Sequence, residues 1–231
     1  MTKEALISVL KKHQKSFYPL IHGLKREQLM PLDLSEKSNL LKNVDLKDTA
    51  AFDAVIFGKI LKDKAGIGGY FENRAIYQRS THYDGTEARS LHLGLDLWMP
   101  AGVALHSPLS GKIHSLQDNQ GYGNYGPTII VEHRLDDKTF FLLYGHLDSE
   151  SLNQRQAGDT VNAGEKLAHI GDYPENGDWP PHLHWQMMTD MLGKQGDFPG
   201  VVAPSEREYY LQICINPAYI LKLDDETTWL N

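Results

Sequence analysis

One cysteine, Cys214, is all the thiol that 231 residues carry. An intramolecular disulfide is therefore excluded, and Cys214 stands too far from the histidines in sequence to suggest a Cys/His metal motif. A buried structural thiol is the expected role. Long apolar runs are also missing: nothing approaches the roughly 18 residues of a membrane-spanning helix. The opening MTKEALISVLKKHQKSFYPL has no uninterrupted apolar segment and no small-residue cleavage site, so no export signal is read and the cytoplasm is the expected location. Positive charge is scarce as well. With 23 basic against 30 acidic residues, a net charge of -7 and no Lys/Arg cluster, neither nucleic acid nor an anionic membrane is an expected partner. The chain has no internal repeat and no low-complexity linker.

What is present is ordinary globular composition, 41% hydrophobic and 23% charged. The length suits one large domain with a smaller appendage. Leu6, Val9, Leu10, His13 and Phe17 recur at helical spacing behind Thr2, which predicts an N-capped helix over residues 2 to about 22. A second short helix is expected across DTAAFDAVIFGKILKD, ended by Gly66, Gly68 and Gly69. From about Tyr70 the period changes from roughly 3.6 to 2. LHLGLDLW, GKIHSL, PTIIVEH, KTFFLLYGHL, EKLAHIG and HLHWQMM read as strands separated by turn chemistry, with TIIVEH and KTFFLLY forming a hairpin over Arg134 to Asp137. The expected class is mainly β: a largely antiparallel β domain over residues 66–231 behind a small helical segment over residues 1–65.

The chemistry concentrates in histidines. In DWPPHLHWQ, His182 and His184 share one face of a strand, about 6.6 Å apart, so one is able to bind a metal while the other stands beside it. His92 and Asp96 also share a face, although a straight strand separates them by about 13 Å; Gly94 between them permits a bend. Two histidines with one carboxylate make a three-ligand set with an open position, the pattern of a catalytic zinc. Such an ion polarises a carbonyl and acidifies a bound water. YGHL around His146, taken alone, reads equally as a strand end with a satisfied histidine. His106, His114, His133 and His169 read as packing or surface residues, and His82 lies close enough in sequence to reach the same groove.

Taken in order, HLGLDLWMPAGVALHSPLSGKI, GYGNYGPTIIVEH, LLYGHL, AGDTVNAGEKLAHIG and PPHLHWQ resemble the motifs of the LytM/lysostaphin-like zinc metallopeptidases, family M23, from about His92 to His184. The resemblance implies an antiparallel β-sheet metallopeptidase domain in which His92, Asp96 and His184 bind Zn²⁺ and His146 and His182 are the catalytic histidines lining the site. It implies a metalloendopeptidase that opens peptide bonds with a metal-bound water, on peptidoglycan-type (muropeptide) or small-residue peptides. One of the two histidines orients or deprotonates the water, and the other stabilises the oxyanion or protonates the amine.

The chain departs from the family where substrate is met. Many members carry a small Ser-Thr-Gly loop before the last ligand; this chain carries Trp179, Pro180 and Pro181, and Gln186 replaces an acidic residue. With the missing export signal and the long MTDMLGKQGDFPGVVAPSEREYY tail, it resembles an intracellular-looking branch. Two other readings stand beside the peptidase: a metal-dependent amidohydrolase of a small metabolite, or a non-catalytic binding module on the same fold. A non-haem iron oxygenase also uses two histidines and a carboxylate, but generally at HxD rather than HxxxD spacing. The segment over residues 1–65 is a candidate cover for the groove, with His82 or Asn73 near enough to supply a fourth ligand.

Overall fold

The computed structural model describes residues 2–223. Thr2 caps the first helix as its hydroxyl predicts: Oγ1 accepts from the Ala5 amide at 3.3 Å, and α1 runs Lys3–Lys12 with Leu6 and Leu10 buried. The helix stops well short of residue 22. Pro19 disfavours helical backbone ahead of it, and Phe17 is extended, with its ring in the core. A strand that periodicity does not reveal follows, β1 (Leu29–Pro31).

Asp48 caps α2 (Thr49–Asp53). The continuation Ala54–Leu61 widens to i to i−5 bonding, and Lys62 donates to the Phe57 carbonyl at 2.9 Å. Left-handed Lys62 ends this helix, not the glycines behind it: Gly66 and Gly68 lie inside β2 (Ala65–Gly68). Short β3 (Glu72–Asn73) and β4 (Leu91–His92) precede β5 (Leu95–Trp98) and β6 (Ala104–His106). The long strands are β7 (Gly111–Asn119), β8 (Gly126–Leu135) and β9 (Lys138–Gly145). After α3 (Ser149–Asn153) come β10 (Thr160–Val161), β11 (Lys166–His169) and β12 (His182–Met188). β13 (Val201–Val202), α4 (Arg207–Ile213) and β14 (Cys214–Ile215) complete the described elements.

The fold is mainly β. Nine strands form one sheet in the order β1-β2-β5-β12-β9-β8-β7-β10, with β14 also paired to β12. Every pairing in it is antiparallel except β1 with β2. The expected hairpin is present: Leu135 faces Lys138 across a two-residue turn in which Asp136 takes φ 52°. β6 pairs with β11, and a three-stranded sheet has the order β13-β4-β3.

Alternation along β12 sorts its side chains. Leu183, Trp185 and Met187 enter the main hydrophobic core, where they join Leu6 and Leu10 of α1, while His182, His184 and Gln186 face the other way. The leading segment, read as helical, thus supplies a helix to the core and a strand to the sheet. At roughly 25 cal/mol per Å² of apolar area, this shared burial makes α1 part of what holds the sheet.

Candidate metal centre and its cavity

Strand register assembles the site. His184 lies directly opposite Asp96 of β5 on one side and Gly145 of β9 on the other. The next residue after Gly145 is His146, whose φ of 62° lies in the left-handed region, at a cost of roughly 1–2 kcal/mol for a residue with a Cβ. That turn carries the His146 ring beside His182, centroids 4.3 Å apart. His182 is held from behind by Trp98, stacked at 4.1 Å and 11°.

His92 and Asp96 meet because their strand is not straight. The chain leaves the β13-β4-β3 sheet at Leu93 and enters the main sheet at Leu95, bending at Gly94. The bend brings His92 Nε2 to 3.2 Å from Asp96 Oδ1. Gly94 is also required for space: a Cβ there would lie 2.6 Å from the His184 ring.

The two imidazoles present lone pairs to each other. His92 Nδ1–H donates to the Gly69 carbonyl at 2.8 Å, which leaves Nε2 unprotonated. His184 Nε2–H donates to Gln186 Oε1 at 2.9 Å, which leaves Nδ1 unprotonated. These two nitrogens stand 2.7 Å apart, with Asp96 Oδ1 3.2 and 3.3 Å from them. Asp96 Oδ1 is buried and has no hydrogen-bond partner. Two lone pairs and an anionic oxygen crowded together, away from water, form an arrangement that a cation between them stabilises. Among the described residues this is the one group of three or more such side chains able to hold a metal, all three buried.

Arg74, which the sequence reading did not single out, fixes the carboxylate. Its Nη1 donates to Asp96 Oδ2 at 2.5 Å and to the Tyr77 hydroxyl at 3.3 Å, and its Nε donates to Glu72 Oε2 at 2.6 Å. One oxygen of Asp96 is thereby engaged and the other left for the site. Against the cost of burial, the adjoining imidazole and the Arg74 guanidinium hold the Asp96 carboxyl well below the usual carboxylate range. Burial and the Arg74 cation push His92 down to about 3, so it stays neutral. Gly69 is needed beside them. It takes φ +100°, and a Cβ would collide with Arg74 Nη2.

His146 and His182 are oriented alike. His146 Nδ1–H donates to the Asn176 carbonyl at 2.7 Å and His182 Nδ1–H to the Pro180 carbonyl at 2.8 Å, so each keeps an unprotonated Nε2. Burial lowers both, His182 to about 4 and His146 well below its ordinary value, where the neighbouring His182 adds to the effect. Asn176 shapes the loop that supplies these carbonyls: its side chain accepts from the Trp179 amide and donates to the Trp179 and Gly171 carbonyls.

All five predicted residues line one cavity of about 270 Å³. Its walls add Tyr77, Tyr83, Tyr125, Trp179 and Phe198, and His82, Arg89, Lys194 and Asp197 also border it. Tyr125 is a second residue the motifs did not identify. Its hydroxyl donates to the Phe198 carbonyl at 3.2 Å and stands 3.5 Å from His184 Nε2. The run of turn residues in GYGNYG is its signal, since those glycines let the aromatic ring face the site. Tyr144 and Trp98 are buried in the core, and Asp148 caps α3 while pairing with His169 at 3.4 Å. Asn73 sits in β3 opposite Leu91 and is not part of the cavity wall.

Several solved structures align with part of this chain. The structure of a zinc-containing peptidase from Vibrio cholerae aligns at 27% identity over 42% of this chain and 27% of that one, with a TM-score of 0.35. The catalytic domain of the antimicrobial peptidase lysostaphin from Staphylococcus simulans aligns at 23% identity over 53% of this chain and 80% of that one, TM-score 0.36. A complex of SpoIIIAH and SpoIIQ aligns at 19% identity over 62% of this chain and 92% of that one, TM-score 0.39. The chain thus spans well under half the length of the Vibrio protein. No curated protein matches it. Residues 90–196 match the family model described as Peptidase family M23, the family whose motifs the sequence resembles.

Proposed function

We propose that the chain is a zinc-dependent peptidase, with His92, Asp96 and His184 as metal ligands and His146 and His182 as the groups that handle protons. The observation that carries this reading is the convergence of two imidazole lone pairs, 2.7 Å apart, on a carboxylate oxygen that has no other partner. Zinc suits the donor set of two nitrogens and one oxygen, and when bound there it supplies a Lewis acid and a water acidified toward neutrality.

The protein's own residues do the rest. Arg74 holds Asp96 so that a single oxygen faces the site. The carbonyls of Asn176 and Pro180 fix the tautomers of His146 and His182, so both offer Nε2 as a proton acceptor at neutral pH. As water adds to the amide carbon one imidazole Nε2 takes up the proton that the water loses, and the same proton is delivered to the departing amine, directly or by way of the second imidazole, so that both histidines end neutral as they began. Tyr125 places a hydroxyl in the cavity wall beside His184, and turning its hydrogen from the Phe198 carbonyl makes it a donor to a developing oxyanion. The five residues are only 1–5% exposed, which keeps bulk water from screening these interactions. Small-residue peptides are the substrates that fit a site so enclosed.

Metal analysis of the purified protein is the first test: one zinc per chain is expected, lost in His184→Ala. Hydrolysis of glycyl peptides by the loaded protein, abolished in His182→Ala with zinc retained, is the second. A protein without stoichiometric zinc whose metal content is unchanged by His184→Ala sinks the proposal.

A further inference from the structure

The hydrogen bond that frees His184 Nδ1 is dictated from further out. Gln186 is fully buried, and its amide is engaged at both ends: Nε2 donates to the Pro199 carbonyl at 3.1 Å and stands 3.5 Å from Cys214 Sγ, while Oε1 lies 2.9 Å from His184 Nε2. A carbonyl oxygen only accepts, so the NH₂ end must face Pro199. Turning the amide over would set two oxygens against each other with no hydrogen between them. Oε1 is thus committed to His184, and because it too only accepts, His184 Nε2 must carry the ring proton. The Tyr125 hydroxyl, 3.5 Å from the same nitrogen, gives its hydrogen to the Phe198 carbonyl and does not compete.

Pro199 is itself located by the strand that carries another ligand. The Leu93 amide donates to the Gly200 carbonyl at 2.8 Å, and Val201 pairs with His92. The carbonyl that orients Gln186 and the ring of His92 therefore share one frame. Pro199 lies beyond residues 90–196, so a segment outside the family-matched stretch takes part in the site.

Without this restraint His184 has another option. Its Nδ1 stands 2.7 Å from His92 Nε2 and 3.3 Å from Asp96 Oδ1, so a proton on Nδ1 would find an acceptor in either. That tautomer would satisfy the orphan Asp96 oxygen from inside the protein and close the space among the three side chains. Gln186 opposes it: with Nε2 unprotonated, a nitrogen lone pair would face the lone pairs of Oε1 at 2.9 Å in a dry site. Resting on the zinc reading above, we propose that Gln186 is a positioning residue that keeps the metal-free site open by forbidding the tautomer in which His184 bonds to the other two ligands. A cation then meets a free Nδ1 lone pair, and no proton has to cross the ring first. The amide does this without adding charge beside a carboxylate already countered by Arg74.

Long-range nitrogen–proton NMR of the metal-free full chain, with isotope-labelled histidine, reads the tautomer directly. His184 is expected as one species, protonated on Nε2. Gln186→Met removes the acceptor; it is expected to move His184 toward the Nδ1-protonated form and to weaken zinc binding about 10–100-fold in chelator competition. Gln186→Glu keeps an oxygen acceptor at that place and is expected to preserve the tautomer. His133, whose Nδ1–H donates to the Ser110 carbonyl at 3.1 Å, reports in the same spectra that the sheet is intact. A side chain that only filled space would change stability and leave the tautomer alone. A parent spectrum showing Nδ1–H or an even mixture overturns the proposal, as does Gln186→Met with the parent's tautomer or the parent's affinity. Where Gln186→Met does not fold, the parent spectrum and Gln186→Glu decide, and loss of the Nε2 tautomer in the latter counts against it. If the parent binds no zinc the zinc reading fails, and the tautomers still decide this one.

Discussion

Arg74 and Asp96 are a buried ion pair whose partners each serve something else: Arg74 also holds Glu72, and Asp96 faces two imidazoles. Truncating Arg74 leaves a carboxylate without its counter-charge in a dry site, so Arg74→Ala is expected to cost about 3–5 kcal/mol in the metal-free protein, read from the denaturation midpoint. A second residue, His133, gives a prediction far from the metal centre. Its ring is fully buried in β8, Nδ1–H donating to the Ser110 carbonyl at 3.1 Å, and burial lowers it from 6.5 to about 4. Between those values the unfolded chain takes up the proton that the folded chain refuses. Stability is therefore whole above about pH 6.5 and falls toward pH 4, by about 3 kcal/mol from this residue. Thermal melts of His133→Leu are expected to decline less steeply over that range than those of the parent. The sequence offered His133 only as a packing or surface residue, since a burial-driven shift depends on neighbours brought in by strand pairing. Arg74 was illegible for the same reason: nothing in YFENRAIY marks one arginine as the partner of a carboxylate 22 positions away.

At the scale of elements, period-two alternation was enough to place β5, β7, β8, β9 and β12, and it put His182 and His184 on one face correctly. It failed at β1, a three-residue strand too short to show a period, and at the first helix, whose apolar spacing continues to Phe17 although the α-helix ends at Lys12 and only a 3-10 turn, Gln14–Ser16, follows. The distance between His92 and Asp96 was the sharper difficulty. A straight strand keeps them apart, and only the passage from one sheet to another at Gly94 brings them together, which makes that glycine a test of the assembled site. Gly94→Ala forces the His184 ring to move, so weaker zinc binding with the sheet intact is expected, measured by chelator competition alongside circular dichroism. Ahead of His182 the sequence marked Trp179, Pro180 and Pro181 as the altered loop, but the part Asn176 plays in it was not legible. Its carbonyl orients His146 and its side chain folds the loop back on Trp179, two hydrogen-bonding duties that residue type alone does not distinguish.

For the molecule as a whole, a site built of buried lone pairs would link the proposed metal to the fold. An ion that binds the folded chain stabilises it by RT ln(1 + [M]/Kd), so zinc at about a hundred times its dissociation constant is expected to add about 2.7 kcal/mol. The corresponding rise in Tm, removed by chelator and missing in His184→Ala, is measured by scanning calorimetry. Motif order made the match to the M23 family model legible before any coordinates, because five motifs in sequence constrain one another; the contacts around Trp179 were not legible, because they join Thr49 of α2 to Arg79 and Asp178, 30 and 129 positions away. The large sheet has a further consequence at its margins. Its outermost strands are β1, three residues long and containing Pro31, and β10, two residues long. Proline has no amide proton to offer a newcomer, and two residues give a neighbour almost nothing to register against. A sheet this broad therefore presents scarcely any template for another chain to extend, and during expression or heating it resists the edge-to-edge aggregation to which wide β-sheets are prone.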